Sequence, residues 1–182
     1  MRVVAGKARG LTLKTLDGET TRPTRDMVRE SLFNILSNRI TDCVFLDLFA
    51  GSGAIGIEAL SRGAQKAYFT DLNKESIKII TENIKKAKML DDAVVIQGDY
   101  LNTLDRIQDE KFDIIFLDPP YNKGMGVLAI KKIYEKSLLN DGGIIIYETD
   151  KSEDIPEEIM KYKRYDYRKY GRNILNFYCW KG

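Results

Sequence analysis

The residues of this sequence best suited to catalysis are 118–121, an aspartate followed by two prolines and a tyrosine. They close the stretch 112–117, in which five of six residues are apolar, and such a stretch predicts a strand buried on both faces. Because proline fixes the backbone and ends a sheet ladder, Asp118 and Tyr121 would sit on a stiff turn at the end of that strand. An acceptor side chain, acceptor carbonyls and an aromatic ring together suit a planar base that carries an amino group.

A glycine-rich loop precedes the first helix of an alternating pattern of strands and helices. Gly51 and Gly53 permit a tight turn and a close approach of the backbone to a ligand. Asp71 follows Gly51 by twenty residues, at the end of the next predicted strand, where a carboxylate can accept both hydroxyl protons of a ribose. Asp99 ends a third strand in the same way, with Tyr100 beside it; this carboxylate could accept from an adenine amino group or cap a helix.

Four successive predicted strands thus end in aspartate, at positions 47, 71, 99 and 118. Ligands of open α/β sheets bind at the carboxyl ends of strands, so we expect these carboxylates to converge. An acid at position 47 suits a pyrophosphate cofactor poorly. S-adenosylmethionine, by contrast, carries an ammonium group, from which Asp47 can accept a hydrogen bond. We therefore predict S-adenosylmethionine as cofactor and no metal, with contacts from Asp47, Phe49, Gly51, Ser52, Gly53, Asp71, Leu72, Asp99 and Tyr100.

The bulk composition narrows the class of protein. With 182 residues, 43% of them hydrophobic, the chain fits one domain, and it has no apolar run near the ~20 residues that span a bilayer. The two cysteines lack metal-ligand spacing and are typical of proteins in a reducing cytoplasm, where we expect this protein to be.

The absence of histidine excludes an imidazole base, a Ser-His dyad and a histidine metal site. The net charge is only +2, but basic residues cluster near both ends of the chain. These residues could bind phosphate groups, or they could form an ordinary solvated surface.

The alternation of strands and helices predicts a doubly wound, mostly parallel α/β sheet with helices on both faces. Residues 2–13 predict a short N-terminal β-hairpin, and a helix follows Pro23; a C-terminal antiparallel hairpin is predicted over 164–180. We divide the single domain into an N-terminal extension, residues 1–38, and a cofactor-binding core, residues 42–182. The predicted core strands are 44–48, 67–70, 94–97, 112–117 and 143–147, and the predicted core helices are 54–62, 74–88 and about 127–136.

The motifs resemble those of a known family. Residues 47–53 and 118–121 resemble motifs I and IV of amino-methyltransferases that use S-adenosylmethionine, and residues 4–10, 22–34, 56–64 and 171–180 resemble the RsmD family. That resemblance implies a seven-stranded Rossmann-like fold and methyl transfer to the exocyclic N2 of a guanine in small-subunit (16S) ribosomal RNA. It implies as partner this RNA or the assembling 30S particle, and no membrane. We take Arg9, Arg22, Thr24 and Arg25 as candidate RNA contacts, although Thr24 could simply cap its helix.

In this interpretation the catalytic residues are Asp118, Pro119, Pro120 and Tyr121. Asp118 and the carbonyl of Pro119 would accept the two N–H bonds of the guanine amine and localise its lone pair toward the methyl group. Tyr121 would stack on a base rotated out of its helix.

Other functions share parts of this pattern. A DNA adenine-N6 methyltransferase uses the same tetrapeptide but usually carries a target-recognition segment, for which the short loops leave no room. A protein-glutamine methyltransferase usually has asparagine at position 118. An NAD-dependent oxidoreductase would leave the tetrapeptide unexplained, and a non-catalytic RNA-binding module would show no affinity for the cofactor.

Overall fold

The computed structural model of the protein describes residues 1–16 and 23–182, without the side chains of residues 23–25. The described helices are α1 Pro23–Ile35, α2 Ala54–Ser61, α3 Lys74–Ala87, α4 Tyr100–Arg106 and α5 Met125–Glu135. The strands are β1 Val44–Asp47, β2 Lys66–Asp71, β3 Ala93–Gln97, β4 Phe112–Leu117, β5 Leu139–Asp150, β6 Glu158–Ile159, β7 Tyr162–Tyr170 and β8 Asn173–Trp180. None of the described helices is long and apolar enough to cross a membrane.

All eight strands form one mixed sheet in the order β3-β2-β1-β4-β5-β8-β7-β6. The first five are parallel neighbours, and the last three are joined to them by antiparallel pairing, which confirms the doubly wound core and the C-terminal hairpin. The expected number of seven strands is wrong. The additional strand is β6, which pairs with the start of β7 across a two-residue turn where Met160 has a φ of 54°.

The predicted N-terminal hairpin is present as a short pairing with one antiparallel bridge, between Arg2 and Thr12. On either side of this bridge, the N–H of Val3 donates to the carbonyl of Leu11 and that of Leu13 to the carbonyl of Met1, each at 2.9 Å. The N–H groups of Val4 and Ala5 donate to the carboxylate of Glu58 on α2, at 2.8 and 3.0 Å. These bonds dock the segment on α2.

Helices cover both faces of the sheet, as predicted. One apolar cluster packs α1, α2 and α3 against one face, and a second packs α4 and α5 against the other. Asn73 caps the start of α3, where its side chain accepts from the N–H of Glu75, and Lys88 caps its end in the left-handed conformation. The short helix α4 was not predicted from the sequence; Asp99 caps it.

The strand order reverses between β1 and β4, and this switch point determines where a ligand can bind. The register pairs Asp47 of β1 with Phe69 of β2 and Phe116 of β4, and Phe116 with Ile146 of β5. Because side chains alternate between faces, the residues two positions after Phe69, Phe116 and Ile146 are expected on the same face, at or just beyond the carboxyl ends of β2, β4 and β5. Those residues are Asp71, Asp118 and Glu148.

Candidate active site

A cavity of about 520 Å³ lies at the carboxyl ends of the parallel strands, at the switch point. It is open on one side and brings together all four predicted aspartates. Twelve of the thirteen residues predicted as catalytic or cofactor-binding line it, all except Gly53. They are Asp47, Phe49, Gly51, Ser52, Asp71, Leu72, Asp99, Tyr100, Asp118, Pro119, Pro120 and Tyr121.

The glycine loop shapes one wall of this cavity. Gly51 and Gly53 have φ angles of 54° and 79°, in the left-handed region that side chains other than glycine rarely adopt. Gly53 lies behind the wall, where an added Cβ would come within 3.2 Å of the Ile80 side chain. The carboxylate of Asp71 accepts from the N–H of Gly51 at 2.9 Å and from that of Asn73 at 2.8 Å. Asp71 therefore fixes the loop while it faces the cavity.

Asp47 is almost completely buried beneath this loop, with 1% of its surface exposed. Its Oδ2 accepts from the N–H of Gly56 at 3.1 Å. Burial raises the pKa of Asp47 to about 7, against the opposing effect of that hydrogen bond. The site thus holds a carboxyl group that a neighbouring cation would drive into its charged form.

Apolar side chains form a patch beside Asp99 in the wall of the cavity. The rings of Phe49 and Tyr100 lie 5.3 Å apart, and the side chain of Leu72 is 70% exposed although it is apolar. Asp99 caps α4 by accepting from the N–H groups of Leu101 and Asn102, with both bonds directed to Oδ1. The capping role considered from the sequence is therefore real, and it also fixes this carboxyl group at the rim beside the patch.

The proline turn forms the opposite end of the cavity. Asp118 and Pro120 are exposed there, whereas Pro119 is buried, so the turn is anchored in the middle and presents its acid outward. The ring of Tyr121 is partly exposed, and its hydroxyl accepts from Nδ2 of Asn173 at 3.3 Å. Asp118 and Tyr121 are placed at one opening to solvent, where a large substrate can reach them.

Sequence reasoning missed Glu148, which lines the same cavity and is 8% exposed. Leu117 of β4 pairs with Tyr147 of β5, so Asp118 and Glu148 are the next residues on two adjacent parallel strands. The signal was present, since Glu148 follows its predicted strand directly, as the aspartates follow theirs. Asn173 of β8 donates a hydrogen bond to Oε1 of Glu148.

Sequence reasoning also missed Arg29, a cation buried in the wall of the cavity. It is 4% exposed and is the only lysine or arginine among the described residues that line the cavity. Its Nη2 donates to the carbonyl of Arg2 at 2.6 Å and lies 3.2 Å from Asp26, while its Nε is 4.0 Å from Glu58 and has no hydrogen-bond partner among the described residues. Burial lowers its pKa. The sequence signal was a charge on the apolar face of α1, three residues before Leu32.

Of the four predicted RNA contacts, the structure describes the side chain of Arg9 alone. Arg9 is exposed on the N-terminal segment and does not line the cavity. Arg22 lies outside the described residues, and the side chains of Thr24 and Arg25 are likewise outside the description. Their roles stay predictions.

Comparison with known proteins places this site in a family. The family model described as Conserved hypothetical protein 95 matches residues 1–179. The ribosomal RNA small subunit methyltransferase D of Haemophilus influenzae is 38% identical over 157 residues, which cover 85% of this chain and 81% of that protein. The protein of the same name from Escherichia coli is 33% identical over 156 residues, covering 86% and 78%.

The fold agrees with the sequence comparison. The solved structure of YhhF from Escherichia coli matches with a TM-score of 0.85 and 30% identity, over 100% of this chain and 98% of that one. A family model that spans nearly the whole chain, together with relatives above 30% identity, confirms the resemblance seen in the motifs. The chain belongs to the Conserved hypothetical protein 95 family, the RsmD family of methyltransferases.

Proposed function

We propose that the protein transfers the methyl group of S-adenosylmethionine to the exocyclic N2 of a guanine in small-subunit (16S) ribosomal RNA. The observation that carries this proposal is the cavity itself, in which the proline turn with Asp118 faces the glycine loop with Asp47 and Asp71. The names of the relatives support ribosomal RNA of the small subunit as the substrate.

The residues of the cavity fit the proposed cofactor. Its volume of about 520 Å³ is in the range of small-molecule sites. Asp71 has acceptor capacity for ribose hydroxyl groups beyond its two backbone bonds, and the patch of Phe49 and Leu72 offers an apolar surface to an adenine ring. Asp47 suits the ammonium group, and Arg29 suits the carboxylate of the same amino acid moiety. When bound, the cofactor supplies an electrophilic methyl group.

The protein's own residues then hold the amine and its protons. Asp118 and the carbonyl of Pro119 accept the two N–H bonds of N2, which draws its lone pair out of conjugation with the ring. Tyr121 stacks on the extruded base, a contact worth on the order of 1–3 kcal/mol. Asp118 need not be a strong base, because the nitrogen becomes acidic once it carries positive charge. Most of the acceleration comes from positioning and electrostatics.

The remaining features extend this proposal. The substrate would be the RNA alone or the assembling 30S particle in the cytoplasm, with Arg9, Arg22, Thr24 and Arg25 as RNA contacts. The whole chain would act as one domain, in which residues 1–38 extend the cofactor-binding core, 42–182.

The direct test supplies labelled S-adenosylmethionine with undermethylated small subunits, naked ribosomal RNA and DNA. We expect label in the ribosomal substrate and N2-methylguanine at one position, identified by mass spectrometry of the RNA. Label in DNA adenine would contradict the proposal.

The catalytic role of the proline turn has its own test. We expect Asp118→Ala to abolish transfer and to leave the affinity for S-adenosylhomocysteine within about threefold, because Asp118 contacts the amine rather than the cofactor. Asp141→Ala, an exposed position at the start of β5, is the matched control and should leave both unchanged. Full activity of Asp118→Ala would refute the role.

A further inference from the structure

Glu148 occupies a position that the chemistry described so far does not use. It follows Tyr147 on β5 as Asp118 follows Leu117 on β4, and the register pairs those two preceding residues. Adjacent strands are about 4.8 Å apart, and the two side chains share one face of the sheet. A second carboxylate therefore stands beside the acid that receives the target amine, within the same cavity.

The structure holds this carboxylate in place. Nδ2 of Asn173 donates to Oε1 of Glu148 and lies 3.3 Å from the hydroxyl of Tyr121. One asparagine thus links the carboxylate to the ring that would stack on the base. Asn173 begins β8 directly after Arg172, which is anchored to Asp150 at 3.0 Å. A carboxylate has about four acceptor positions on its two oxygens, so it can be held by the protein and still accept from a ligand.

The chemistry of Glu148 favours a ligand that donates hydrogen bonds. The residue is 8% exposed and lines the cavity, and an ionised carboxylate accepts hydrogen bonds but does not donate them. A group of the substrate that meets Glu148 there should therefore be a donor.

Guanine presents such donors on its Watson–Crick edge. Its N1–H and N2–H₂ groups are adjacent and point in the same direction, so Glu148 can accept from N1–H while Asp118 and Pro119 accept from N2. Adenine has a bare N1 lone pair at the corresponding place, which a carboxylate repels. We propose that Glu148 is the specificity-determining residue that accepts the N1–H of the target base, so that the site takes guanine and rejects adenine. This inference rests on the proposed function and assigns the base that it acts on.

A modified base separates this role from general activity. 2-Aminopurine keeps the amine that accepts the methyl group but has no proton on N1. We would place it at the nucleotide mapped above, in a synthetic fragment of the small-subunit RNA, and compare kcat/KM with that of the guanine fragment. A site that hydrogen-bonds a donor rejects an analogue lacking it strongly, so we expect the unaltered enzyme to prefer guanine by on the order of 100-fold or more.

The test then removes the charge of Glu148. An amide in place of the carboxylate can donate to the bare N1 of 2-aminopurine, so Glu148→Gln should reduce the preference to roughly tenfold or less. Glu148→Asp keeps the charge and should retain the preference while its kcat/KM falls. Glu135→Gln, an exposed change on α5, is the matched control and should behave as the unaltered enzyme does. Equal affinities of the variants for S-adenosylhomocysteine would show that the fold is intact.

Binding provides a second measurement if Glu148→Gln transfers no methyl group. The guanine fragment and the 2-aminopurine fragment compete for the protein in the presence of S-adenosylhomocysteine. The unaltered protein should bind the guanine fragment more tightly, and Glu148→Gln should lose this preference. An unchanged preference in Glu148→Gln, or no preference in the unaltered protein that methylates guanine, overturns this inference alone. Failure of the unaltered protein to methylate any guanine overturns the proposed function instead.

Discussion

The buried carboxyl group of Asp47 leads to a prediction about stability. The folded protein raises its pKa to about 7, from an ordinary value near 4. The folded chain therefore binds the proton more tightly than the unfolded chain, and the free energy of unfolding should fall as pH rises from about 4 to about 7 and then level off. Each pKa unit corresponds to about 1.4 kcal/mol, so ionisation of Asp47 costs the unliganded protein at most about 4 kcal/mol at pH 8.

Asp47→Asn removes this cost and keeps an acceptor for the N–H of Gly56. We expect the variant without cofactor to be more stable than the unaltered protein by about 1 to 4 kcal/mol at pH 8, and by much less at pH 5, where the carboxyl group is already neutral. Urea unfolding at the two pH values measures the difference. The exposed substitution Asp141→Asn should change stability by no more than about 0.5 kcal/mol.

The same substitution should weaken the cofactor site. The ammonium group of S-adenosylmethionine would lose its charged partner, so calorimetry should show a higher Kd for the variant at pH 8. Below pH 7 the affinity of the unaltered protein should fall as Asp47 takes up a proton, while that of Asp47→Asn should vary less. A variant that is less stable at pH 8, or a stability difference that is the same at both pH values, would refute the reasoning.

Three further predictions concern the walls of the site. Gly56→Ala should destabilise the protein by about 1–3 kcal/mol in urea unfolding, because the added Cβ would come 2.3 Å from the Phe69 ring. Glu58→Gln should cost about 3–5 kcal/mol, since it leaves buried Arg29 without a nearby buried counter-charge, and hydrogen exchange should increase at residues 4–5; unchanged exchange would contradict this. Arg29→Met should raise the Kd for S-adenosylhomocysteine but leave that for 5′-methylthioadenosine, which has no carboxylate, nearly unchanged; an equal loss for both would disprove a carboxylate contact.

The sheet core and the main elements of the site were predictable because local patterns encode them. A buried apolar strand followed by an acid recurs along the chain, and a parallel sheet places such ends at one edge whatever the details of packing. The two-residue strand β6 has no comparable pattern. Likewise, the glycine breaks in residues 2–13 predicted a short hairpin, but not that Val4 and Ala5 donate to the buried carboxylate of Glu58, more than 50 positions away in the sequence.

The site residues that were not predicted differ in how clearly the sequence indicates them. Glu148 ends a predicted strand and follows the same rule as the aspartates. Arg29 lies on the apolar face of its helix, which marks it as unusual without revealing the cavity beyond. Asn173 could not be assigned, because its partners Tyr121 and Glu148 are brought near it by strand pairing alone.

The guanidinium of Arg29 joins two parts of the molecule that are otherwise distinct. It borders the cavity, and it also holds the carbonyl of Arg2, while Met1 itself contributes to the cavity wall. An alteration of the first few residues can therefore change the shape of the cavity and the position of Arg29. Tags or fusions joined ahead of Met1 should be judged by how they affect cofactor affinity as well as expression.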